Sequence, residues 1–219
     1  MIVRIKSVIK SILFYDSIRA TLFWDIINCF RNSLEIRKWE KKGKFPPPPH
    51  GVKVRTVKQY AKVFSIGTLI ETGTLFGEMV WETRKTFSRI FSIELDDKLY
   101  MKAKERFSKY KHISIIHGDS SEVLPSLLNN ISERALFWLD AHYSGGITAK
   151  GKLETPIVQE IDHILGHPNS DHIILIDDAH EFIGKNDYPT IDEMKSMFNY
   201  SKLYFEVKDN IICIHKIFK

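Results

Sequence analysis

A chain of 219 residues, 43% hydrophobic and 27% charged, has the composition of a soluble globular protein and the length to bury one full α/β core. Its formal charge of +5 divides unevenly: residues 1–66 hold 14 Lys/Arg against 4 Asp/Glu, and the rest hold 18 against 23. No basic stripe interleaved with aromatics follows residue 66, which reads against a nucleic-acid partner, and the two distant cysteines, Cys29 and Cys213, make no disulfide framework and fit a reducing cytoplasm.

The first 30 residues are rich in Ile, Leu, Phe and Val. Arg4, Lys6, Lys10, Asp16, Arg19 and Asp25 break them well short of the roughly 18–20 apolar residues of a membrane span. No signal-peptide core with a small-residue cleavage site is evident. Two readings stay open here. One is amphipathic helices packed on the main domain; the other is a basic segment lying on an anionic membrane, which would place the protein at the inner membrane face. Pro46 to Pro49 cannot continue a helix, so an extended spacer separates this appendage (1–45) from the domain beyond (46–219).

A helix is predicted over 52–64, where Val54, Val57, Tyr60, Ala61 and Phe64 share one face. Strands over 68–71, 89–94, 112–117, 135–140 and 172–177 then alternate with helices over 77–87, 97–110, 121–128 and 155–165. That alternation predicts a parallel sheet covered on both faces. A helix over 191–200 follows, and strands over 203–207 and 211–218 flank the turn signal Lys208-Asp209-Asn210, which predicts a closing hairpin and an antiparallel last strand. The expected fold class is a Rossmann-like α/β fold with seven strands.

The first strand stops at Glu71 and enters a helix through Gly73 and Gly77. A dinucleotide fingerprint would need glycine at 73, 75 and 78, but Leu75 and Glu78 occupy two of those places. Acids stand at nearly every strand end: Glu71, Glu94, Asp119 just past the third, Asp140, and the pair Asp177-Asp178. Helix capping accounts for Asp96, Asp97 and even Asp119. It accounts less well for Asp140 and Asp177, which directly close apolar runs. If their strands are neighbours about 4.8 Å apart, Asp140, Asp177 and Asp178 converge. A divalent ion would relieve their repulsion, and an all-oxygen set favours magnesium, manganese or calcium.

Glu71-x-Gly73-x-x-x-Gly77 resembles the first motif of class I S-adenosylmethionine-dependent methyltransferases, and the missing middle glycine resembles the metal-dependent O-methyltransferases of catechol and caffeoyl-CoA type. The seven-stranded order closed by a hairpin is similar to theirs. The resemblance implies S-adenosylmethionine as cofactor, held by Glu71, Gly73, Thr74, Gly77, Glu94, Asp119, Ser120 and Asp140. Within that set Glu94 takes the ribose hydroxyls, Asp119 the adenine amino group, and Ser120 the ring. Asp140, Asp177 and Asp178 match the acids that bind a magnesium-like ion in the macrolide-sugar and aminocoumarin-sugar enzymes. The ion would lower the pKa of a substrate hydroxyl, with His142 or His180 as base. The loop over 143–152 is either a solvent loop or a lid, and the loop over 181–189 borders the same face. The expected acceptor is a small-molecule or sugar hydroxyl. A nucleotide-cofactor oxidoreductase and an inactive membrane-associated scaffold remain the alternatives, and the oligomeric state is open.

Overall fold

The apolar runs become a single seven-stranded sheet in the computed structural model, which describes residues 22–140, 155–169, 171–198 and 203–217. Strands β1 (Thr68–Thr72), β2 (Arg89–Glu94), β3 (Ile113–His117), β4 (Ala135–Leu139) and β5 (Ile173–Ile176) are parallel. Strands β6 (Leu203–Lys208) and β7 (Ile211–Lys216) form the hairpin, and β7 lies antiparallel against both β5 and β6. The order is β3-β2-β1-β4-β5-β7-β6. The Rossmann-like sheet with an antiparallel last strand is the architecture read from the sequence.

Seven α-helices accompany it among the described residues: α1 (Leu22–Lys41), α2 (His50–Val63), α3 (Glu78–Thr83), α4 (Asp97–Phe107), α5 (Ser120–Leu128), α6 (Ile157–Leu165) and α7 (Ile191–Phe198). Alternate strand residues point to opposite faces, so each central strand feeds two cores. In β4, Ala135, Phe137 and Leu139 join Leu124 of α5, Ile161 of α6 and Met194 of α7. Leu136 and Trp138 join Val57 of α2, Val80 of α3 and Phe107 of α4. All five residues of β4 are buried, which is why the strand reads as an unbroken apolar run. Each such Leu, Ile or Phe contributes about 1.5–3 kcal/mol through burial.

The chain divides into two compact units inside α2, one ending at Val52 and the other starting at Lys53. In the first, the Trp39 indole Nε1 donates to the Phe45 carbonyl at 2.7 Å, and Lys44 lies over the Trp39 ring, closing the turn after α1. Among the described residues no helix is long and apolar enough to cross a membrane. Residues 1–21, which carry most of the N-terminal readings, lie outside the described residues.

Element ends differ from expectation by a few residues. Helix α3 stops at Thr83 rather than at 87. The Arg84 guanidinium stacks on the Trp81 ring and donates to the Trp81 carbonyl, the acceptor that the next helical N–H would need.

Behind β4 and β5 lies a histidine chain. The Ala135 N–H donates to His172 Nδ1 at 3.1 Å, so His172 carries its proton on Nε2 and directs it to His167 Nδ1 at 3.0 Å. Burial, then the His167 ring, push the His172 pKa down from 6.5 to about 4, with Asp171 opposing. The unfolded chain therefore takes this proton first. The contribution of His172 is complete above about pH 6.5 and is lost as pH falls towards 4. On going from about pH 7 to about pH 5, stability should drop by on the order of 2 kcal/mol through this residue. His172→Asn, which keeps an acceptor for Ala135, should flatten that part of the slope in urea titrations; an unchanged slope would contradict the assignment.

Candidate active site

The strand order reverses between β1 and β4, and in open parallel sheets ligands bind in the crevice that opens there, beyond the strand carboxyl ends. Ladder bonds bring the relevant ends level. The Asp140 N–H donates to the Thr72 carbonyl at 3.1 Å, and the Asp177 N–H donates to the Leu139 carbonyl at 3.0 Å. The glycine turn sits on the same edge. Gly73 and Thr74 N–H groups both donate to the Ile93 carbonyl, at 3.0 and 3.2 Å. Gly77 has φ 70, and a Cβ there would lie 2.6 Å from the Phe107 ring, so α3 and α4 meet too closely for a side chain.

Glu71 is buried, and the Ser92 hydroxyl donates to its Oε2. Ser92 also meets the Thr74 hydroxyl at 2.6 Å. Burial pushes the Glu71 pKa up to about 8; the Ser92 bond pulls it down, and Asp140 and Glu94 add to the rise. Glu94 closes β2 and is likewise buried. Its Oε2 accepts from Leu75 N–H at 2.7 Å and its Oε1 from Asp96 N–H at 2.9 Å. Burial raises its pKa, and these backbone bonds oppose the rise. Asp119 caps α5: its Oδ1 accepts from Ser121 N–H at 3.0 Å and from the Ser121 hydroxyl at 2.6 Å. Ser120 is buried directly behind it.

Asp140, Asp177 and Asp178 present carboxylate oxygens that lie within 4.8 Å of one another. Asp178 adopts φ 50, ψ 48, a left-handed conformation uncommon outside glycine, and its N–H donates to Asp177 Oδ1 at 2.8 Å. Asn210, in the β6–β7 turn, donates from Nδ2 to Asp178 Oδ1 at 3.3 Å and accepts the His180 N–H on Oδ1 at 2.9 Å. His180 lies on the 3-10 turn Ala179–Glu181 with Nδ1 at 3.1 Å from Asn210 Oδ1 and Nε2 at 3.2 Å from Glu181 Oε1. His142 and the loop over 143–152 lie outside the described residues.

Three residues join this edge that the sequence did not single out. Lys53, near the start of α2, places its ammonium on Asp177 Oδ2 and 3.8 Å from Asp178 Oδ1. Tyr188, from the loop over 181–189, lines a small cleft with Leu139, Asp140, Thr155, Ile157, Ile176 and Asp177. Burial raises its phenol pKa, as do Asp178 and Asp140, against a bond with Thr155. Glu160 in α6 is fully buried, and neither of its oxygens has a hydrogen-bond partner among the described residues. Burial pushes its pKa up to about 7; the hydroxyls of Ser120 and Thr72 oppose this without reaching normal hydrogen-bond geometry. Its signal was in the sequence. It shares the apolar stripe of Ile157, Ile161 and Ile164, where a charged residue is out of place.

No protein-family model matches the chain, and no curated protein matches it. Solved structures do. An S-adenosylhomocysteine-bound methyltransferase of Podospora anserina, PaMTH1, has TM-score 0.55 at 16% identity over 85% of this chain and 88% of its own. The O-methyltransferase TomG of Streptomyces achromogenes, in complex with S-adenosylmethionine, has TM-score 0.56 at 13% identity over 86% and 89%. A putative caffeoyl-CoA O-methyltransferase of Staphylococcus aureus has TM-score 0.56 at 11% identity over 95% and 98%. The chain has the class I methyltransferase fold.

Glu71 lies buried near the carboxyl end of β1, and its raised pKa gives a direct test. A carboxyl whose pKa is higher folded than unfolded leaves the fold most stable below about pH 4.5, and that advantage is lost as pH rises to about 8. Glu71→Gln, the isostere of the protonated acid, should match the parent near pH 4.5. By about pH 7 it should exceed it by on the order of 3 kcal/mol in urea unfolding. A Gln variant that falls below the parent in stability as pH rises would show that Glu71 is folded as the anion.

Proposed function

We propose that the chain is an S-adenosylmethionine-dependent methyltransferase that methylates a hydroxyl of a small molecule, with a sugar or glycan as first choice, and uses a divalent cation of the magnesium kind. The observation that carries this reading is the convergence of Asp140, Asp177 and Asp178 on the same sheet edge as the glycine turn and Glu94. The donor set fits such an ion. It is all carboxylate oxygen, a hard-cation set, and Lys53 already draws a positive charge into it. Neighbours described as O-methyltransferases, one of them in complex with S-adenosylmethionine, support the cofactor and oxygen as the acceptor atom.

When bound, the ion supplies Lewis-acid polarisation of the acceptor hydroxyl, and the cofactor supplies the methyl group. The remaining work falls to side chains. Glu94 uses one lone pair of each oxygen on Leu75 and Asp96 N–H groups and keeps the others for the ribose hydroxyls. Asp119 commits Oδ1 to its cap and leaves Oδ2 for the adenine amino group, with Ser120 beside the ring. Gly73, Thr74 and Gly77 wrap the cofactor, and Glu71 lies beneath them. Asp140, Asp177 and Asp178 hold the ion, and Tyr188 shapes the acceptor cleft. The Asn210 amide is oriented by Asp178, so its Oδ1 accepts from His180 Nδ1, while Nε2 faces the Glu181 carboxylate at 3.2 Å and would hand a proton on towards it. His142 is the other candidate base. The site residues all lie from Lys53 onward, within the domain read as 46–219.

Calorimetry separates the two halves of the site. Glu94→Ala should weaken S-adenosylmethionine binding by at least about tenfold, roughly 1.4 kcal/mol. Asp178→Ala should retain cofactor affinity and lose methyl transfer to a panel of sugar and catechol hydroxyls. Cofactor binding by Glu94→Ala equal to the parent's would sink the cofactor assignment, and full transfer by Asp178→Ala after EDTA treatment would sink the ion.

A further inference from the structure

Lys53 reaches the acid group from a segment 124 residues away in sequence. Its ammonium bonds Asp177 Oδ2 and stands 3.8 Å from Asp178 Oδ1, and its side chain is only 17% exposed. Asp177 is more enclosed still, its side chain 1% exposed. The three carboxylates therefore already have a cation.

An ion bound by the same oxygens would sit about 2.0–2.6 Å from each. One oxygen from each acid lies within 4.8 Å of the others, and the ammonium already bonds Asp177 and stands 3.8 Å from Asp178, so an ion drawing on these acids would come close to it. Two cations so close in a half-buried site repel strongly.

We propose that Lys53 is a tethered counter-ion for Asp140, Asp177 and Asp178, and that a divalent cation enters only by displacing its ammonium. The inference rests on the reading of these acids as an ion site. It assigns Lys53 a positioning role: with no ion bound, the lysine compensates the buried acids, and on ion entry it withdraws. The site is then loaded only where divalent cation is plentiful, because binding must break the Lys53–Asp177 pair.

Manganese binding, followed by electron paramagnetic resonance, tests this without any acceptor. Lys53→Met keeps the stem and removes the charge; it should bind Mn2+ at least about tenfold more tightly than the parent. Lys53→Arg keeps the charge and should stay within a few-fold of the parent. In the parent chain itself, acetic anhydride labelling of Lys53, read by mass spectrometry, should rise on saturation with Mg2+; this arm needs no variant to fold. Equal or weaker Mn2+ binding by Lys53→Met, or labelling that does not change in a chain that binds the ion, overturns the displacement idea while leaving the ion site standing. Absence of Mn2+ binding in parent and variants alike overturns the ion site, and the displacement idea with it.

Discussion

Carboxyl groups brought together along one buried edge repel each other and resist losing water, and everything at the carboxyl edge of this sheet answers that constraint. Each acid is made tolerable in a different way. Glu71 keeps its proton at neutral pH and accepts a bond from Ser92. Glu94 stands in two backbone N–H bonds that offset part of its desolvation. Asp119 caps a helix, and Asp177 takes the ammonium of Lys53. Glu160 alone has no such answer among the described residues, and its carboxyl is held up to about 7 by burial. A ribose, an adenine and an ion would meet acids already separated by environment.

Topology decides which acids meet. Because β4 lies between β1 and β5, Asp140 is bonded to Thr72 on one side and its strand offers Leu139 to Asp177 on the other. The closing hairpin adds to this from the far edge. Asp209 and Asn210 both have positive φ, 50 and 66, the signature of a type I′ turn whose twist matches its strands. That turn ends the sheet and also delivers Asn210 to Asp178 and His180. A feature needed for the fold thus orients two residues of the site.

The sheet was legible because its strands are buried on both faces and so appear as short apolar runs ending in acids. Glu71, Glu94, Asp140 and Asp177 stand where those runs stop, and local sequence marks them. Lys53 and Asn210 were not legible for a physical reason. Their partners are distant in the chain, and a lysine on a helix with other lysines, or an asparagine in a turn, has an ordinary local explanation. Tyr188 was hidden the same way inside a polar loop. Glu160 differs, because its place among Ile157, Ile161 and Ile164 marks a buried carboxyl in the sequence itself.

The middle of the glycine turn shows how much a single backbone bond can hold. Leu75 has φ 50, a region that costs a side-chain-bearing residue roughly 1–2 kcal/mol, and in the related motif a glycine stands there. The turn nevertheless keeps its shape. Leu75 N–H donates to Glu94 Oε2 at 2.7 Å, and Arg106 of α4 binds the Phe76 carbonyl and reaches Glu78 at 3.3 Å. A glycine would relax the strain but loosen the turn, since glycine has more conformational freedom to lose on folding. Leucine gives up some stability and leaves its side chain and that of Phe76 exposed, at 41% and 49%. The bond to Glu94 is worth most if that carboxylate must stay in one orientation, as one that accepts two hydroxyls of a ribose must. The strain at Leu75 and the orientation of Glu94 are therefore two ends of one hydrogen bond.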